Sequence, residues 1–480
     1  MKLRELIGKI PYRLAAGGDF EYMEADIARV VTRAEEAASD TLYLCLRTAV
    51  RDGALGAMRA YENGCRLFLS ERGLPLPKNA AVLVVDSTAA LSGPLAAKLL
   101  GHPARRLTVL GITGSAGKTS VADTVTTILH RAGRRVASIT TDGVRIGEEL
   151  RPRADILPDA TDLQALLHEL AQADVEIAVL ELSSYTLAQG WAFSIPFTAV
   201  LLTNLLADHA DGAVMAYTDT LASLFDGDAA FQIFPANFVG FEPRGAGRRL
   251  TFGADGDAYA EAPEPYETEL EMGTRFSLCL DGERARVSLP VVGDFAIENA
   301  LAAALLLRCV GMPAAQIAAG LSAYAPKGRM ECIARRMGRA VYRDSAYDAR
   351  DLTRVLTVLR ERTAGRLSVL LGSVGERDRV RRRSLGYAAT AYADMAYFTA
   401  DDPGCESARQ IAEEMAAGAT SSDRYVILPD RLHAIRRAAR DLRAGDVLLL
   451  AGKGGQDYQV IGDRRVPFFE KEAVSEAFEE

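Results

Sequence analysis

The chain has 480 residues, a formal net charge of −8 and 49% hydrophobic residues. This composition is typical of a folded globular protein and excludes a disordered, collagen-like or disulfide-scaffold chain. The acidic balance gives no indication of nucleic-acid binding, and no apolar run reaches the ~18–20 residues of a membrane span. The N-terminus lacks the apolar segment of a secretory signal. Six scattered cysteines show no metal-ligand spacing, so we expect reduced thiols in a cytoplasmic protein.

The first part of the chain, residues 1–105, contains short apolar runs between helical stretches. The run AVLVVD (81–86) is short and branched, which is typical of a buried strand. From Leu107 to Gly133 the pattern becomes strand, glycine-rich loop and amphipathic helix. Further strands at 177–182 and 197–204 alternate with helices. This alternation predicts a parallel sheet covered by helices.

The pattern changes between about 243 and 292. Three segments there resemble hairpin-connected strands, with Asp-Gly turns at 255–256 and 281–282. The helix at 297–312 is apolar nearly all round and therefore predicted to be buried. A second alternation of strands and helices begins near 328.

We therefore predict an α/β protein with three domains. Residues 1–105 form a small N-terminal α/β domain. Residues 106–327 form a central P-loop, parallel-sheet ATPase-like domain with an added antiparallel sheet. Residues 328–480 form a C-terminal Rossmann-like α/β domain.

A glycine-rich loop, GITGSAGKTS, spans residues 111–120. Its backbone N–H groups can cradle phosphates at the positive end of the following helix. Lys118 would reach the β- and γ-phosphates, and a hydroxyl of Thr119 or Ser120 would face Mg²⁺. The strict pattern has glycine at 112, where this chain has Ile112. The loop predicts ATP and Mg²⁺ as cofactors, bound through Gly114, Ser115, Gly117, Lys118, Thr119 and Ser120.

The loop motif TGSAGKT resembles the nucleotide loop of the Mur ligases, and other segments resemble motifs of that family in the same order. They are LELSSYTL (180–187), TNLLADHAD (203–211), GDFAIENALAA (293–303), GRME (328–331), LGSVGERDRVRR (371–382) and AGKGGQDYQ (451–459). The last pair resembles the MurE-type branch, and residues 32–65 resemble the UDP-binding domain of that branch. The resemblance covers nearly the whole chain.

The resemblance implies an ATP-dependent ligase that activates a carboxylate as an acyl phosphate, which an amine then attacks. It implies small-molecule substrates, namely a UDP-linked acceptor and an amino acid or related amine. No nucleic-acid partner and no membrane insertion are expected, and the sequence names no protein partner.

The resemblance also assigns roles to individual residues. The implied catalytic residues are Lys118, Glu181, Asp208 and His209, and the implied metal ligands are Thr119, Glu181 and His209. Further nucleotide contacts fall on Asn204, Asn299, Arg329 and Asp344. Substrate contacts fall on Thr32, Arg33, Ser183, Ser184, Asp402 and Lys453.

Structural alternatives stay open for several of these residues. Glu181 follows a strand, where an acid can bind Mg²⁺ or simply be solvated. Asp208 and His209 could be structural, and Asn299 could cap a helix or form a hydrogen bond in the core. Lys453 could be a surface lysine.

The chain departs from the family pattern at clustered positions. Leu221 stands where the family carries a lysine that becomes carbamylated and bridges metal ions, and the chain has no lysine between Lys118 and Lys327. Family histidines are replaced by Tyr185, Tyr347 and Gly455, and the loop asparagine by Ala116.

Further departures fall in the amine-selecting motifs, where Asp402 and Gly404 replace Asn and Arg, and Gln456 replaces Glu. Without the arginine, a bidentate partner for a carboxylate is missing. Without the glutamate, an anion for a substrate ammonium is missing. These losses argue against diaminopimelate as the amine.

Three functional hypotheses follow. The first is a MurE-like ligase with an altered amine or acceptor. The second is a paralogue with impaired catalysis that binds nucleotide or precursor and acts through partners. The third is a Mur-type ligase for an acceptor outside peptidoglycan synthesis.

Overall fold

The computed structural model describes residues 1–16, 20–48, 51–151, 159–205, 213–268, 272–376 and 379–479. The chain divides into two compact units. The first consists of Met1–Ala260, Leu278–Ala285 and Glu298–Gly320, and the second of Glu261–Ser277, Arg286–Ile297 and Leu321–Glu480.

The N-terminal part of the first unit contains a five-stranded sheet in the order β1-β5-β4-β3-β2. Strands β2 to β5 pair in parallel, and β1 is antiparallel to β5. Buried apolar residues cover both faces of the sheet, in two separate clusters. The elements are α1 (Leu3–Ile7), β1 (Arg13–Ala16), β2 (Arg29–Val31), β3 (Thr41–Leu44), α2 (Ala57–Glu62), β4 (Leu67–Ser70), β5 (Ala81–Val84) and α3 (Thr88–Leu99).

The next eight strands and four helices build the central parallel sheet. They are β6 (Thr108–Thr113), α4 (Lys118–Arg131), β7 (Val136–Thr140), β8 (Gly143–Ile146), β9 (Glu149–Arg151), α5 (Ala160–Gln172), β10 (Ile177–Glu181), α6 (Ser184–Ala188), β11 (Ala199–Leu202), α7 (Ala213–Ala222), β12 (Phe231–Pro235) and β13 (Arg248–Phe252). Their order is β13-β12-β11-β6-β10-β7-β8-β9, parallel from β13 to β7. Because β6 lies between β10 and β11, residues after these three strands meet at one edge.

Three more strands follow β13 in the same sheet: β14 (Ala258–Glu267), β15 (Met272–Leu280) and β16 (Glu283–Leu289). Asp281 and Gly282 join β15 to β16 with positive φ angles of 51° and 80°, as a tight hairpin turn requires. The hairpin predicted at 255–256 is wrong, because β13 and β14 pair in parallel through Phe252 and Ala258. The Asp257 carboxylate accepts hydrogen bonds from Thr251 there and shapes a compact loop.

The buried helix predicted at 297–312 is α8 (Asp294–Cys309), which is followed by α9 (Ala314–Ala323). The second unit then contains a six-stranded sheet in the order β17-β18-β22-β19-β20-β21, parallel except for the β17–β18 pair. Its elements are β17 (Glu331–Arg336), β18 (Arg339–Asp344), α10 (Ala349–Glu361), β19 (Leu367–Leu371), α11 (Val380–Tyr392), β20 (Met395–Phe398), α12 (Ala408–Ala416), β21 (Tyr425–Ile427), α13 (Arg431–Arg440), β22 (Val447–Ala451), β23 (Tyr458–Ile461), β24 (Arg464–Pro467) and α14 (Glu470–Glu479).

The predicted α/β class is confirmed, with a large central sheet and a separate C-terminal sheet. The domain boundaries near 105 and 327 stay predictions. All six cysteines are free thiols, and no helix within the described ranges is long and apolar enough to cross a membrane.

Candidate active site

The glycine-rich loop joins the end of β6 to the start of α4, as the sequence predicts. Gly114 and Gly117 have φ angles of 131° and 85°, which favour glycine. A Cβ atom at Gly114 would overlap the Thr203 hydroxyl, and one at Gly117 would overlap the Asn299 side-chain oxygen. Only glycine therefore fits either position, and Asn299 is placed directly against the loop.

Lys118 is the first residue of α4, and its side chain folds back over the loop. Its Nζ donates hydrogen bonds to the Gly114 carbonyl at 2.8 Å and the Ser115 carbonyl at 3.3 Å. The Ser115 Oγ lies 3.2 Å from the hydroxyl of Tyr217 on α7. Ser120 follows in the first turn of α4. The lysine ammonium is thus held at the loop by carbonyl dipoles that a phosphate group could replace.

Thr119 and Glu181 lie together, as expected for the metal position. The Thr119 hydroxyl donates to Glu181 Oε2 at 2.9 Å, and both residues are about nine-tenths buried. Thr141, which directly follows β7, donates to the same oxygen. A hydroxyl and a carboxylate are the oxygen ligands that Mg²⁺ prefers, so this donor set fits the ion. The interpretation of Glu181 as a freely solvated acid is wrong.

Asn204 and Thr203 hold the loop from the end of β11. Asn204 Oδ1 accepts a hydrogen bond from the Ala116 N–H at 3.0 Å, and its Nδ2 donates to the Ala116 carbonyl at 3.1 Å. The Thr203 hydroxyl donates to the same carbonyl at 2.7 Å. Asn204 therefore positions the loop backbone, and its direct contact with nucleotide stays a prediction. Sequence analysis missed Thr203, although it immediately precedes Asn204.

Asp208 and His209 lie outside the described residues, so their predicted roles stay predictions. Within the described ranges, no group of three or more His, Cys, Asp or Glu residues could hold a metal ion. Leu221 is fully buried in an apolar cluster with Leu224 and Phe225. The position predicted to lack the metal-bridging lysine is thus part of the hydrophobic core.

Arg329 and Asp344 belong to the second unit. The Asp344 carboxylate accepts hydrogen bonds from the Met330 N–H at 2.7 Å and the Ala346 N–H at 2.8 Å. Burial raises the pKa of Asp344, although the Arg329 charge and these two N–H groups act in the opposite direction. The nucleotide contacts expected for both residues stay predictions.

The expected substrate residues of the first unit have partners within the protein. The Thr32 hydroxyl donates to Asp159 Oδ2 at 2.6 Å, and the Arg33 guanidinium forms two hydrogen bonds to the Asp162 carboxylate at 2.7 and 3.1 Å. Ser183 caps α6 by accepting a hydrogen bond from the Thr186 N–H at 3.1 Å, and Ser184 begins that helix. Their substrate contacts stay predictions.

Lys453 is buried in a polar cluster of the second unit. Its Nζ donates to Asp402 Oδ1 at 2.7 Å and to Asp401 Oδ1 at 3.2 Å, and the Gln456 Oε1 lies at 3.5 Å. The lysine side chain is 0% exposed, so the interpretation as a surface lysine is wrong. Asp402 also accepts a hydrogen bond from the Val460 N–H. Two carboxylates thus neutralise one ammonium and leave an excess of negative charge.

Family models match most of this chain. The model for the Mur ligase middle domain matches residues 112–307, and that for the glutamate ligase domain of Mur ligases matches residues 328–454. The first match contains Lys118, Thr119 and Glu181, and the second contains Asp401, Asp402 and Lys453.

Curated relatives extend this similarity to the whole chain. A protein of Geobacillus thermodenitrificans is 30% identical over 499 residues and covers 100% of both chains. A protein of Caldanaerobacter subterraneus is 30% identical over 466 residues, 95% of each chain. Both are named UDP-N-acetylmuramoyl-L-alanyl-D-glutamate–2,6-diaminopimelate ligase. The chain belongs to the Mur ligase family.

Solved structures of the family share the fold. The structure of a diaminopimelate ligase covers 100% of this chain with a TM-score of 0.68 at 24% identity. The MurF ligase of Thermotoga maritima, solved in complex with ADP, covers 94% of this chain with a TM-score of 0.57 at 18% identity. Both likenesses show that this chain has the Mur ligase fold.

Compared with the Mur ligase pattern, some positions of this chain keep the expected residue types and others do not. The loop glycines, Lys118, Thr119 and Glu181 keep the residue types that phosphate and Mg²⁺ binding needs. Leu221 and Gly404 lack the functional groups that the family resemblance implies there. That the first group binds the nucleotide, and that the other two positions concern a second metal ion and the amine, stay predictions.

Proposed function

We propose that the protein is an ATP-dependent carboxylate–amine ligase of the MurE type, which joins an amine to a UDP-N-acetylmuramoyl-peptide-like acceptor through an acyl phosphate. The observation that carries this proposal is the assembled phosphate loop, with Lys118 folded over it and Thr119 bonded to Glu181. Full-length similarity to ligases named for this acceptor supports it.

The chain's own residues supply the elements that phosphoryl transfer needs. The loop N–H groups and the start of α4 bind phosphate oxygens. Lys118 exchanges the Gly114 and Ser115 carbonyls for the β- and γ-phosphates and stabilises the charge of the transferring group. The Thr119 hydroxyl and Glu181 would hold Mg²⁺, which neutralises phosphate charge when bound.

The incoming amine differs from diaminopimelate in this proposal, although the relatives are named for that amino acid. Gly404 has no guanidinium to pair with a carboxylate, and its φ angle of 57° favours glycine there. Lys453 already forms ion pairs with Asp401 and Asp402. The local charges therefore favour an amine without a second carboxylate.

We further propose that the protein acts in the cytoplasm on small-molecule substrates. Mg-ATP and UDP-linked precursors are available in that compartment, and the free thiols fit its reducing conditions. The net charge of −8 supports no nucleic-acid partner.

The test is ADP formation from Mg-ATP with UDP-N-acetylmuramoyl-L-Ala-D-Glu, with and without a pool of amino acids, followed by mass spectrometry of the acceptor. ADP that appears only with acceptor and amine together, with a matching mass gain, is the expected result. In Lys118→Ala we expect a rate about 10²–10³ lower, because one electrostatic stabiliser is lost. Lys78→Ala is the matched control, since Lys78 is exposed.

A second candidate is a nucleotide-binding paralogue that acts without ligation. The observation that favours it is the hydrocarbon side chain of Leu221 at the position of the bridging lysine. ATP binding without ADP formation on this acceptor or on a wider panel would support this candidate. ADP formation only with an acceptor outside the muramoyl series would identify a ligase of different specificity.

A further inference from the structure

Glu181 lies where three parallel strands end. Strand β10 pairs with β6 on one side and with β7 on the other. Glu181 is the last residue of β10, Thr119 follows β6 through the loop, and Thr141 directly follows β7. The sheet therefore brings two hydroxyl groups to one carboxylate from opposite sides.

All the hydrogen bonds that the described residues donate to this carboxylate reach the same oxygen. Glu181 Oε2 accepts from the Thr119 hydroxyl at 2.9 Å, from the Thr141 N–H at 3.1 Å and from the Thr141 hydroxyl at 3.3 Å. The two hydroxyl oxygens lie 3.3 Å apart. Three donors on one oxygen fix the rotation of the carboxylate, because any turn about its last torsion breaks them together.

The other oxygen, Oε1, accepts no hydrogen bond from the described part of the chain. It is therefore the oxygen that remains for a hydrated cation. Thr119 cannot hold the carboxylate alone, since the same hydroxyl is the one expected to bind the ion. We propose that Thr141 is a positioning residue that holds Glu181 by Oε2 and so presents Oε1 to the cation of the Mg-nucleotide complex.

The exposure of Thr141 argues that its hydroxyl positions Glu181 and does not serve packing. Thr141 is exposed and begins the connection from β7 to β8, so its hydroxyl fills no space in the core. Replacement by valine keeps the shape, the β-branch and the N–H bond to Glu181, and it removes only the hydroxyl. The inference rests on the nucleotide-binding part of the proposed function.

The experiment compares the full-length protein with Thr141→Val, Thr141→Ser and Thr124→Val. Among the described residues, the Thr124 hydroxyl donates to the Ser120 carbonyl of its own helix alone, which makes this variant a matched control. Mn²⁺ binding is titrated by electron paramagnetic resonance in the presence of ADP. ADP affinity in EDTA and the melting temperature of the nucleotide-free protein are measured beside it.

We expect Thr141→Val to weaken Mn²⁺ binding about three- to tenfold, the size of one lost hydrogen bond of ordinary net strength. ADP affinity in EDTA and the melting temperature should stay unchanged, and both Thr141→Ser and Thr124→Val should match the parent. Mn²⁺ binding by Thr141→Val equal to that of the parent overturns the role of Thr141 alone. A parent protein that binds no ADP overturns the proposed function and this inference together.

Discussion

Leu221 stands at the position where the family resemblance implies a carbamylated lysine. It lies on α7 and is 0% exposed, in the apolar cluster that also contains Phe225 and Phe234. Tyr217, one turn earlier on the same helix, contacts Ser115 of the phosphate loop. On α7, Tyr217 thus contacts the phosphate loop, and Leu221, one turn later, packs in the hydrophobic core.

Leu221→Lys is therefore expected to destabilise the protein rather than restore a metal position. An amine buried among leucine and phenylalanine side chains costs about 3 kcal/mol or more at pH 7. Burial lowers the lysine pKa in the folded state, so the unfolded state binds more protons and the stability of the variant rises from pH 7 to pH 9. Urea unfolding at both pH values measures this. Leu221→Met, which conserves volume, should cost less than about 1.5 kcal/mol.

A different behaviour of Leu221→Lys would contradict this expectation. A variant as stable as the parent that takes up ¹³C-labelled bicarbonate as a lysine carbamate would show that residue 221 reaches the metal position. The loss of the bridging group would then be a single-residue change.

Helix α5 is fastened to the N-terminal sheet through its first residues. The Asp159 carboxylate caps the helix by accepting from the Thr161 and Asp162 N–H groups at 3.0 and 3.1 Å. It also accepts from the buried Thr32 hydroxyl and lies 3.8 Å from the Arg51 guanidinium. The Asp159 carboxylate therefore caps α5 and also binds Thr32, which directly follows β2.

We expect Asp159→Ala to lower the free energy of unfolding by about 2–4 kcal/mol, since the cap is lost and Thr32 loses its partner. Asp159→Asn keeps a capping oxygen and should lose less. In a double-mutant cycle, Thr32→Val and Asp159→Ala should be non-additive by about 1 kcal/mol. Fully additive effects would show that the contact contributes nothing to stability.

The buried Arg382 connects α11 to α12 through ion pairs. These ion pairs make the stability of the protein depend on pH in acid. Its guanidinium donates to both oxygens of Glu406 at 2.9 and 3.1 Å and to Glu414 at 2.7 Å. These hydrogen bonds lower the pKa of Glu406 to about 2. The pKa of Glu414 is also lowered. The folded pKa lies below the unfolded value, so this stabilisation is present above pH 4.5 and is lost between pH 4.5 and about 2.

Glu406→Gln should accordingly be less stable than the parent at pH 7, by about 1–2 kcal/mol, and equal to it near pH 2. Thermal unfolding followed by circular dichroism from pH 7 to pH 2 measures the difference. Glu413→Gln on α12 is the control, because the partner of Glu413 in the described part of the chain is Arg409, in an exposed pair at 3.9 Å. A constant difference across the whole pH range would contradict the assignment to Glu406.

The sequence predicts elements that depend only on neighbouring residues in the chain. The strand before the phosphate loop, the helix after it and the acid at the end of β10 all lie where the pattern indicated. Thr141 was missed because its role depends on β7 lying beside β10 in space. The parallel β13–β14 pairing was missed because an Asp-Gly pair indicates a turn without specifying the register of the flanking strands. The burial of Lys453 depends on Asp401 and Asp402, about fifty residues earlier in the chain.

The N-terminal region and the central sheet are joined through a shared hydrophobic core. One cluster contains Leu3, Leu42 and Leu95 of the N-terminal region together with Ala160 and Trp191. Trp191 is the single tryptophan of the chain. Its ring is 4% exposed and packs edge-on against Tyr185 at 5.4 Å. The predicted boundary near residue 105 thus divides a continuous core within the first unit.

A chain that begins at residue 106 should therefore fold poorly, whatever its affinity for nucleotide. Removing the N-terminal partners exposes Trp191, and losing the packing of one large aromatic side chain alone costs about 3–5 kcal/mol. We expect a red-shifted Trp191 emission and binding of a hydrophobic dye by the shortened chain, compared with the full-length protein. Trp191→Phe in the full chain must abolish the emission, which assigns the signal. Unshifted emission with an unchanged melting temperature would show that residues 1–105 are a separable domain and that Trp191 is buried without them.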